Sequence, residues 1–408
     1  MIPLRAGLLI SLAGAILLVG PGITPEMETA ARAETGMAQK VDPTWFDRDW
    51  AYRMPFTVNP AQIAGGETFT DFPILVWLDA TTHADVFAKA KTDGSDLLFV
   101  AKGGEVALSH EIVTYDAGMG EAEIWVRTTT LSSQNNEFEL YYGNATATAG
   151  PGTDAWSPEY RAVYHFEEDP AGGQLTDSGP QAAHADLQPA AMWTSGDVND
   201  GVVGQGWQFN GTTHHIATKN IGTQDESYTI SAWLALTSRS TDFFLHADPG
   251  FWKISSQSSD VSPRPDYSQG GGTVIWPPNP VDVNDGFHHF AWMLDAVADT
   301  VIFLYDGVPQ EPLSTFPAGL SPFYDGLAIN PDGTNTIGIL GPIFAQVTAD
   351  YTHGGADEFR LREGRIVPEW VTTEVNNQSD PQTFLTFGPE QVPVPVERTS
   401  MGRMRARF

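Results

Sequence analysis

Apolar residues in this chain come in short runs that alternate with polar ones, and Gly, Asn, Asp or Pro cuts each run after a few positions. "YTISAWLAL", "AEIWVRTTTL", "FHHFAWMLD" and "DEFRLRE" all show the period of two that marks a strand with one buried face. Long helical patterns are nearly absent. With 40 glycines and 29 prolines in 408 residues, the chain suits many strands joined by tight turns. That pattern makes it all-β, and the length allows a large sandwich with a smaller unit beside it.

The formal charge is −30, from 51 acidic and 21 basic residues. Such a chain repels nucleic acid and anionic membrane surfaces, which are bound through clustered Lys and Arg. The same charge favours solubility and attracts divalent cations. Because the cysteine count is 0, disulfides, zinc–thiolate sites and cysteine nucleophiles are excluded. Arg5, the apolar run from Leu8 to Val19 and "ARA" at 31–33 read as an export signal over 1–33. The run is too short to span a bilayer comfortably. The expectation is a soluble protein of the periplasm or the extracellular space.

Strand patterns divide the rest. A smaller N-terminal sandwich is expected over 44–147, with "DFPILVWLD" as a central strand that is apolar on both faces. A jelly-roll sandwich is expected over 158–388, after a Gly-, Pro- and Thr-rich boundary at 145–158. Pro368 is placed to start one short surface helix, "PEWVTTEV". Residues 389–408 turn Pro-rich and then basic, the composition of a disordered tail.

"GVVGQGWQFNGTTHHIA", "YTISAWLAL", "FHHFAWMLDAVADTVIFLYDGVPQE" and "GGADEFRLREGRIVPEW" occur in the order seen in the LamG-like (concanavalin A-like) jelly-roll family, which the second unit resembles. "DFPILVWL", "DGSDLLF", "SHEI", "AEIWVR" and "LYYGN" make the first unit resemble a bacterial domain of unknown function. Members of that family are often found with MotA/TolQ/ExbB-type proton-channel proteins. The resemblance implies an envelope partner of that type, acting in trans. It also implies a structural calcium, held by Asp357 at the start of a late strand, the Gly211 carbonyl and a carbonyl near Glu167. The alternation places Asp357 on the apolar face with Phe359 and Leu361, and opposite Glu358, Arg360 and Arg362. A carboxylate there needs either calcium or backbone N–H groups at a turn, and the sequence leaves both open.

The search for chemistry gives little. Concanavalin-like glucanases carry Glu-x-Asp-x-x-Glu or Glu-x-Asp-x-Glu on one strand face, and neither pattern occurs. No catalytic residue is assigned. His214–His215 and His288–His289 read as structural, because neighbouring side chains on a strand diverge. Trp233 on the polar face of its strand, Trp252 after a turn and Trp276 before a Pro-rich loop are the candidate carbohydrate platforms. The expected function is non-enzymatic: recognition of a glycan or a protein partner at the cell envelope. The alternatives are an accessory role in an ExbB/TolQ-type energised transport system and, more weakly, a polysaccharide hydrolase.

Overall fold

The computed structural model describes residues 45–393 apart from 105, 149–153, 219–220, 222–226, 237–241, 248–249, 258–259, 267–285, 296, 299, 311–336 and 341–350. The smaller sandwich contains β1 (Tyr52–Val58), β2 (Pro73–Asp79), α1 (Ala84–Lys89), β3 (Leu98–Ala101), β4 (Ala107–Leu108), β5 (His110–Asp116), β6 (Glu121–Arg127) and β7 (Glu137–Tyr142). The larger contains β8 (Tyr160–Tyr164), β9 (Gln174–Leu175), β10 (Ala185–Gln188), β11 (Val198–Asp200), β12 (Gln205–Asn210), β13 (His215–Thr218), β14 (Tyr228–Leu236) and β15 (Asp242–Ala247). It continues with β16 (Gly250–Gln257), β17 (Asp260–Asp266), β18 (His288–Asp295), β19 (Thr300–Tyr305), β20 (Val308–Pro309), β21 (Ile337–Ile339) and β22 (His353–Glu363). Two helices, α2 (Pro368–Ser379) and α3 (Pro381–Phe384), precede the last strand, β23 (Leu385–Phe387).

The larger sandwich stacks a sheet of order β17-β16-β15-β21-β13-β10-β9 on one of order β11-β12-β22-β14-β18-β19-β20. Between them lies an apolar core that includes Trp207, Phe209, Ile230, Trp292, Phe359 and Leu361. In the smaller sandwich, β23-β1-β7-β3-β4 faces β2-β6-β5, and Phe56, Ile74, Val76, Phe99, Ile124 and Leu140 fill the space between. The chain is all-β in two sandwich units, as its patterns predict.

The two sandwiches do not divide where the sequence suggests. β23 pairs with β1 in the smaller sheet, Phe387 opposite Phe56, although the sequence reading assigns 385–387 to the larger unit. Residues 43–393 form one compact unit. The boundary segment is partly buried as well: Ala155, Trp156 and Ser157 are buried, with Trp156 packed against Trp125, Tyr160 and Val163.

The expected short surface helix is longer, and it is buried. α2 lies between the sandwiches with Trp370 in the small core and Val371 against Ala291, Met293 and Leu304 on the outer face of the larger sheet. Its Asn377 amide donates to the Leu75 carbonyl (3.0 Å) and accepts from the Leu75 N–H (2.7 Å). This pairing explains why "PILVWL" is apolar on both faces. β2 is an edge strand, not a central one, and its second face is turned towards the larger sandwich. Among the described residues, no helix is long and apolar enough to cross a membrane.

A candidate functional site at the seam of the two sandwiches

The site begins with an irregularity in β22. Trp233 of β14 pairs with Asp357 and Ser231 pairs with Arg360, so Glu358 and Phe359 together face the single position Ala232. This is a β-bulge, and Glu358 takes φ +51°, in the left-handed region. The extra residue resets the alternation. Ala356, Phe359 and Leu361 point into the core, while Asp357 lies on the other face with Trp233, paired directly across from it. The expectation that Asp357 shares a face with Phe359 and Leu361 is therefore corrected. The polar face is not solvent either. The smaller sandwich and α2 cover it, leaving Asp357, Glu358 and Arg360 buried.

The opposite edge of β22 has its own break. β12 pairs with it up to Ala356, and β8 takes over from Phe359. The gap at 357–358 is where β8 runs on into His165, Phe166 and Glu167. The Gln205 amide bridges it, donating to the carbonyls of Phe166 (3.1 Å) and Glu168 (3.2 Å).

Asp357 Oδ2 accepts hydrogen bonds from Val202 N–H (2.8 Å) and Val203 N–H (2.9 Å), in the hairpin turn between β11 and β12. These turn N–H groups are one of the two partners the sequence leaves open. A Cβ at Gly201 would come within 2.6 Å of Oδ2, so glycine there makes the approach possible. Oδ1 has no hydrogen-bond partner among the described residues. Burial, with the charge of Glu358 adding to it, pushes the Asp357 carboxyl well above its usual range. Glu167 lies on the same seam, and its carboxylate accepts from the Gln205 N–H. Gly211 does not. It adjoins Thr352, whereas Asp357 faces the position of Gly206, roughly 16 Å along the strand at about 3.3 Å per residue. Asp357, Gly211 and Glu167 therefore do not form a common calcium shell.

Around the seam lies a network of buried charge. His165 Nδ1 is 2.6 Å from Glu358 Oε1, Glu358 Oε2 is 2.6 Å from Arg360, and Arg360 reaches Glu374 at 3.3 Å. The Arg360 guanidinium stacks 4.3 Å above the Trp125 ring and 4.8 Å from that of Trp156. Glu111 accepts from Trp156 Nε1 (2.7 Å) and Ser178 Oγ (2.6 Å), and lies 3.6 Å from His165 Nε2. Arg127 turns to Asp71, 3.7 Å away.

Charge state follows position in this network. Burial alone would raise Glu358, but the charges of His165 and Arg360 outweigh it and hold the carboxyl below its ordinary value. Burial alone would lower His165, and Glu358 with Glu111 instead raises it well above the ordinary imidazole value. Glu123 has no such strong partner, and burial pushes it up to about 8. Glu167 is raised by burial to about 7.

On the open side of the seam is a cleft of about 820 Å³ between the sandwiches. Trp77 and Leu75 of β2 line one wall, the 198–205 hairpin another, and Ser379–Gln382 at the end of α2 a third. Asp116, Glu121, Asp200 and Asp380 stand exposed at its rim, and Trp77 is half-buried within it.

The aromatic candidates fare differently. Trp233 is 4% exposed, and its indole N–H donates to Gln378 of α2 at 2.6 Å, so it is no sugar platform. Its strand face is polar because α2 supplies hydrogen bonds to it. Trp252 lies in β16, but its side chain falls outside the described residues, as does Trp276 entirely. The signal segment and the tail beyond Pro393 lie outside them too, whereas Glu390 and Gln391, expected in the disordered tail, bond to Lys89 and Arg53 of the smaller sandwich. The histidine pairs are structural: His214 stacks on Trp193 at 3.9 Å, His289 packs edge-on to Trp233, and His288 pairs with Asp306.

Sequence reasoning missed Trp77, His165, Glu123 and Glu358 as site residues. Trp77 stood inside an apolar run. His165, between core-facing Tyr164 and Phe166, carried the better signal, since strand alternation turns it away from the core.

Residues 93–177 match a family model, Domain of unknown function (DUF2341). The match begins in the smaller sandwich and runs through β8 into the seam, so it includes Glu111, Glu123, His165 and Glu167. It meets the expectation of a domain of unknown function in the first unit, and extends it across the boundary. No curated protein matches the chain in sequence.

Three solved structures are among those to which the chain is similar. Domain 4 of AbnA, a GH43 extracellular arabinanase from Geobacillus stearothermophilus, in complex with arabinotriose, is 19% identical with a TM-score of 0.36. That match covers 53% of this chain and 98% of the domain. Trypanosoma rangeli sialidase in complex with sialic acid is 11% identical over 68% of this chain and 46% of its own, at a TM-score of 0.38. A botulinum neurotoxin type C structure, described as dependent on two ganglioside molecules for cell entry, is 8% identical over 54% and 51%, at 0.36. The match thus spans about half of the sialidase and neurotoxin chains. At these scores, what the three proteins bind says nothing about this chain.

Proposed function

We propose that this is a non-enzymatic glycan-binding protein of the cell envelope, and that the cleft between its sandwiches holds the sugar. The observation that carries the reading is Trp77, a half-buried indole on the wall of a polar cleft of about 820 Å³. An indole offers a sugar ring an apolar face, and Asn199, Gln205 and Gln382 supply neutral polar groups along the same walls. The acidic rim selects against sialic and uronic acids, so the ligand is a neutral or amino-substituted glycan. The exported location rests on the signal-like N-terminus.

The test is binding of the chain from Glu34 to a polysaccharide panel, with Trp77→Ala alongside. The expected result is micromolar binding to a neutral or amino glycan, weakened at least tenfold in the variant, or about 1.4 kcal/mol. Binding unchanged in Trp77→Ala would place the sugar elsewhere, and no binding across the panel would turn the search to a protein partner.

One observation favours a second reading, a hydrolase. Glu167 lines the cleft with its carboxyl raised to about 7, the condition of a general acid. Release of reducing ends from the same panel, abolished by Glu167→Gln, would support it.

A further inference from the structure

We propose that Glu123, His165 and Glu358 hold a divalent first-row transition cation that joins the two sandwiches. One ligand atom from each lies within 4.8 Å of the others, and all three residues are buried. Glu123 belongs to β6 of the smaller sandwich, His165 follows β8, and Glu358 is the bulge residue of β22. His165 Nδ1 is 2.6 Å from Glu358 Oε1 and 3.8 Å from Glu123 Oε1. These separations bracket the spacing of about 3–3.5 Å between donors around an ion with bonds of about 2.0–2.2 Å.

An independent observation points to a ligand. Glu123 Oε2 is fully buried and has no hydrogen-bond partner among the described residues. Partnerless buried carboxylate oxygens are rare, because each loses its hydration with nothing in return. The charge balance has the same sign: Glu111, Glu358 and Glu374 surround Arg360 and His165, leaving the cluster short of positive charge.

Each proposed ligand also has a neighbour that orients it, as metal ligands generally do. Trp125 Nε1 donates to Glu123 Oε1 at 2.9 Å, Arg360 holds Glu358 Oε2 at 2.6 Å, and Glu111 stands 3.6 Å from the far nitrogen of His165. Access runs from the cleft. Gly204 lines it and has no side chain, and a Cβ there would lie 3.2 Å from Glu123 Oε2.

The donor set chooses the class of ion. Calcium takes six to eight oxygens and is poorly served by a ring nitrogen. One imidazole with two carboxylates suits Zn²⁺ or Mn²⁺. Binding replaces the proton shared between His165 Nδ1 and Glu358, which passes to solvent. This inference is independent of the sugar reading, since neither Trp77 nor the rim takes part.

The experiment uses the full chain, stripped with chelator and then titrated with Zn²⁺, Mn²⁺ and Ca²⁺ separately, with melting temperature and bound metal per chain as readouts. Co²⁺ serves as a visible-absorption probe. The expected result is one Zn²⁺ or Mn²⁺ per chain and a rise of about 3 °C or more at one hundred times Kd. Glu123→Gln keeps the acceptor for Trp125 and is expected to weaken binding at least tenfold, while Asp200→Asn, exposed on the cleft rim and outside the charge network, retains the response. If Glu123→Gln does not fold, Glu358→Gln and the Co²⁺ spectrum of the parent chain decide. No response to Zn²⁺ or Mn²⁺, a response to Ca²⁺ only, no ligand-field band with Co²⁺, or an unchanged response in the Glu-to-Gln variants would overturn the proposal.

Discussion

At the scale of single residues, Asp357 shows how a buried carboxyl is accommodated without an opposite charge of its own. Its Oδ2 accepts two turn N–H groups, and burial pushes the carboxyl well above its usual range, which favours the protonated form. A protonated acid and an amide present the same carbonyl acceptor to those N–H groups. Asp357→Asn is therefore expected to change stability by less than about 1 kcal/mol, and Asp357→Ala to cost about 2–4 kcal/mol by leaving the N–H groups unpaired. Urea unfolding checks this, and equal losses in both variants would contradict it. The need of Asp357 for a partner was legible in the sequence. The identity of that partner was not, because the turn lies more than 150 positions earlier in the chain. Trp233 was misplaced for a related reason. A polar strand face reads as solvent until the helix that covers it, here through Gln378, is in view.

At the scale of elements, most strands were legible from alternation, because packing one face of a sheet imposes the period directly. "YTISAWLAL" and "FHHFAWMLD" appear as β14 and β18, paired in register from Tyr228–Leu294 to Leu234–His288. Alternation fails at the bulge in β22, where an extra residue moves everything before it to the opposite face, and that is where the buried charges gather. The role of α2 was hidden as well. Its polar residues Thr373, Asn377 and Gln378 read as a solvent face, yet they bond to Ala64, Leu75 and Trp233. Asn377 acts as a missing strand for the edge of β2. Replacing it by Leu keeps the volume but orphans a buried N–H and C=O, and is expected to cost at least about 2 kcal/mol in thermal or urea melts. A neutral result would mean that water replaces the amide there.

At the scale of the whole molecule, the two sandwiches share one buried charge network, one helix and one terminal strand. The smaller sandwich lacks its edge strand and Trp370 unless the distant segment 366–393 is present. A fragment covering 44–147 is thus expected to show no cooperative melt, and the chain 44–393 to melt in one transition. A folded 44–147 fragment by circular dichroism and proton NMR would refute this.

This dependence on the far segment also sets an order in time. As the chain is made, β1 leaves the ribosome early, with Phe56 and its open edge waiting for a partner that emerges more than 300 residues later. The larger sandwich, whose strands lie wholly between, can form first and carry the two halves of the smaller one together. Until Phe387 arrives, β1 is an unpaired edge open to other chains, so the last strand made is the one that closes the first sheet begun.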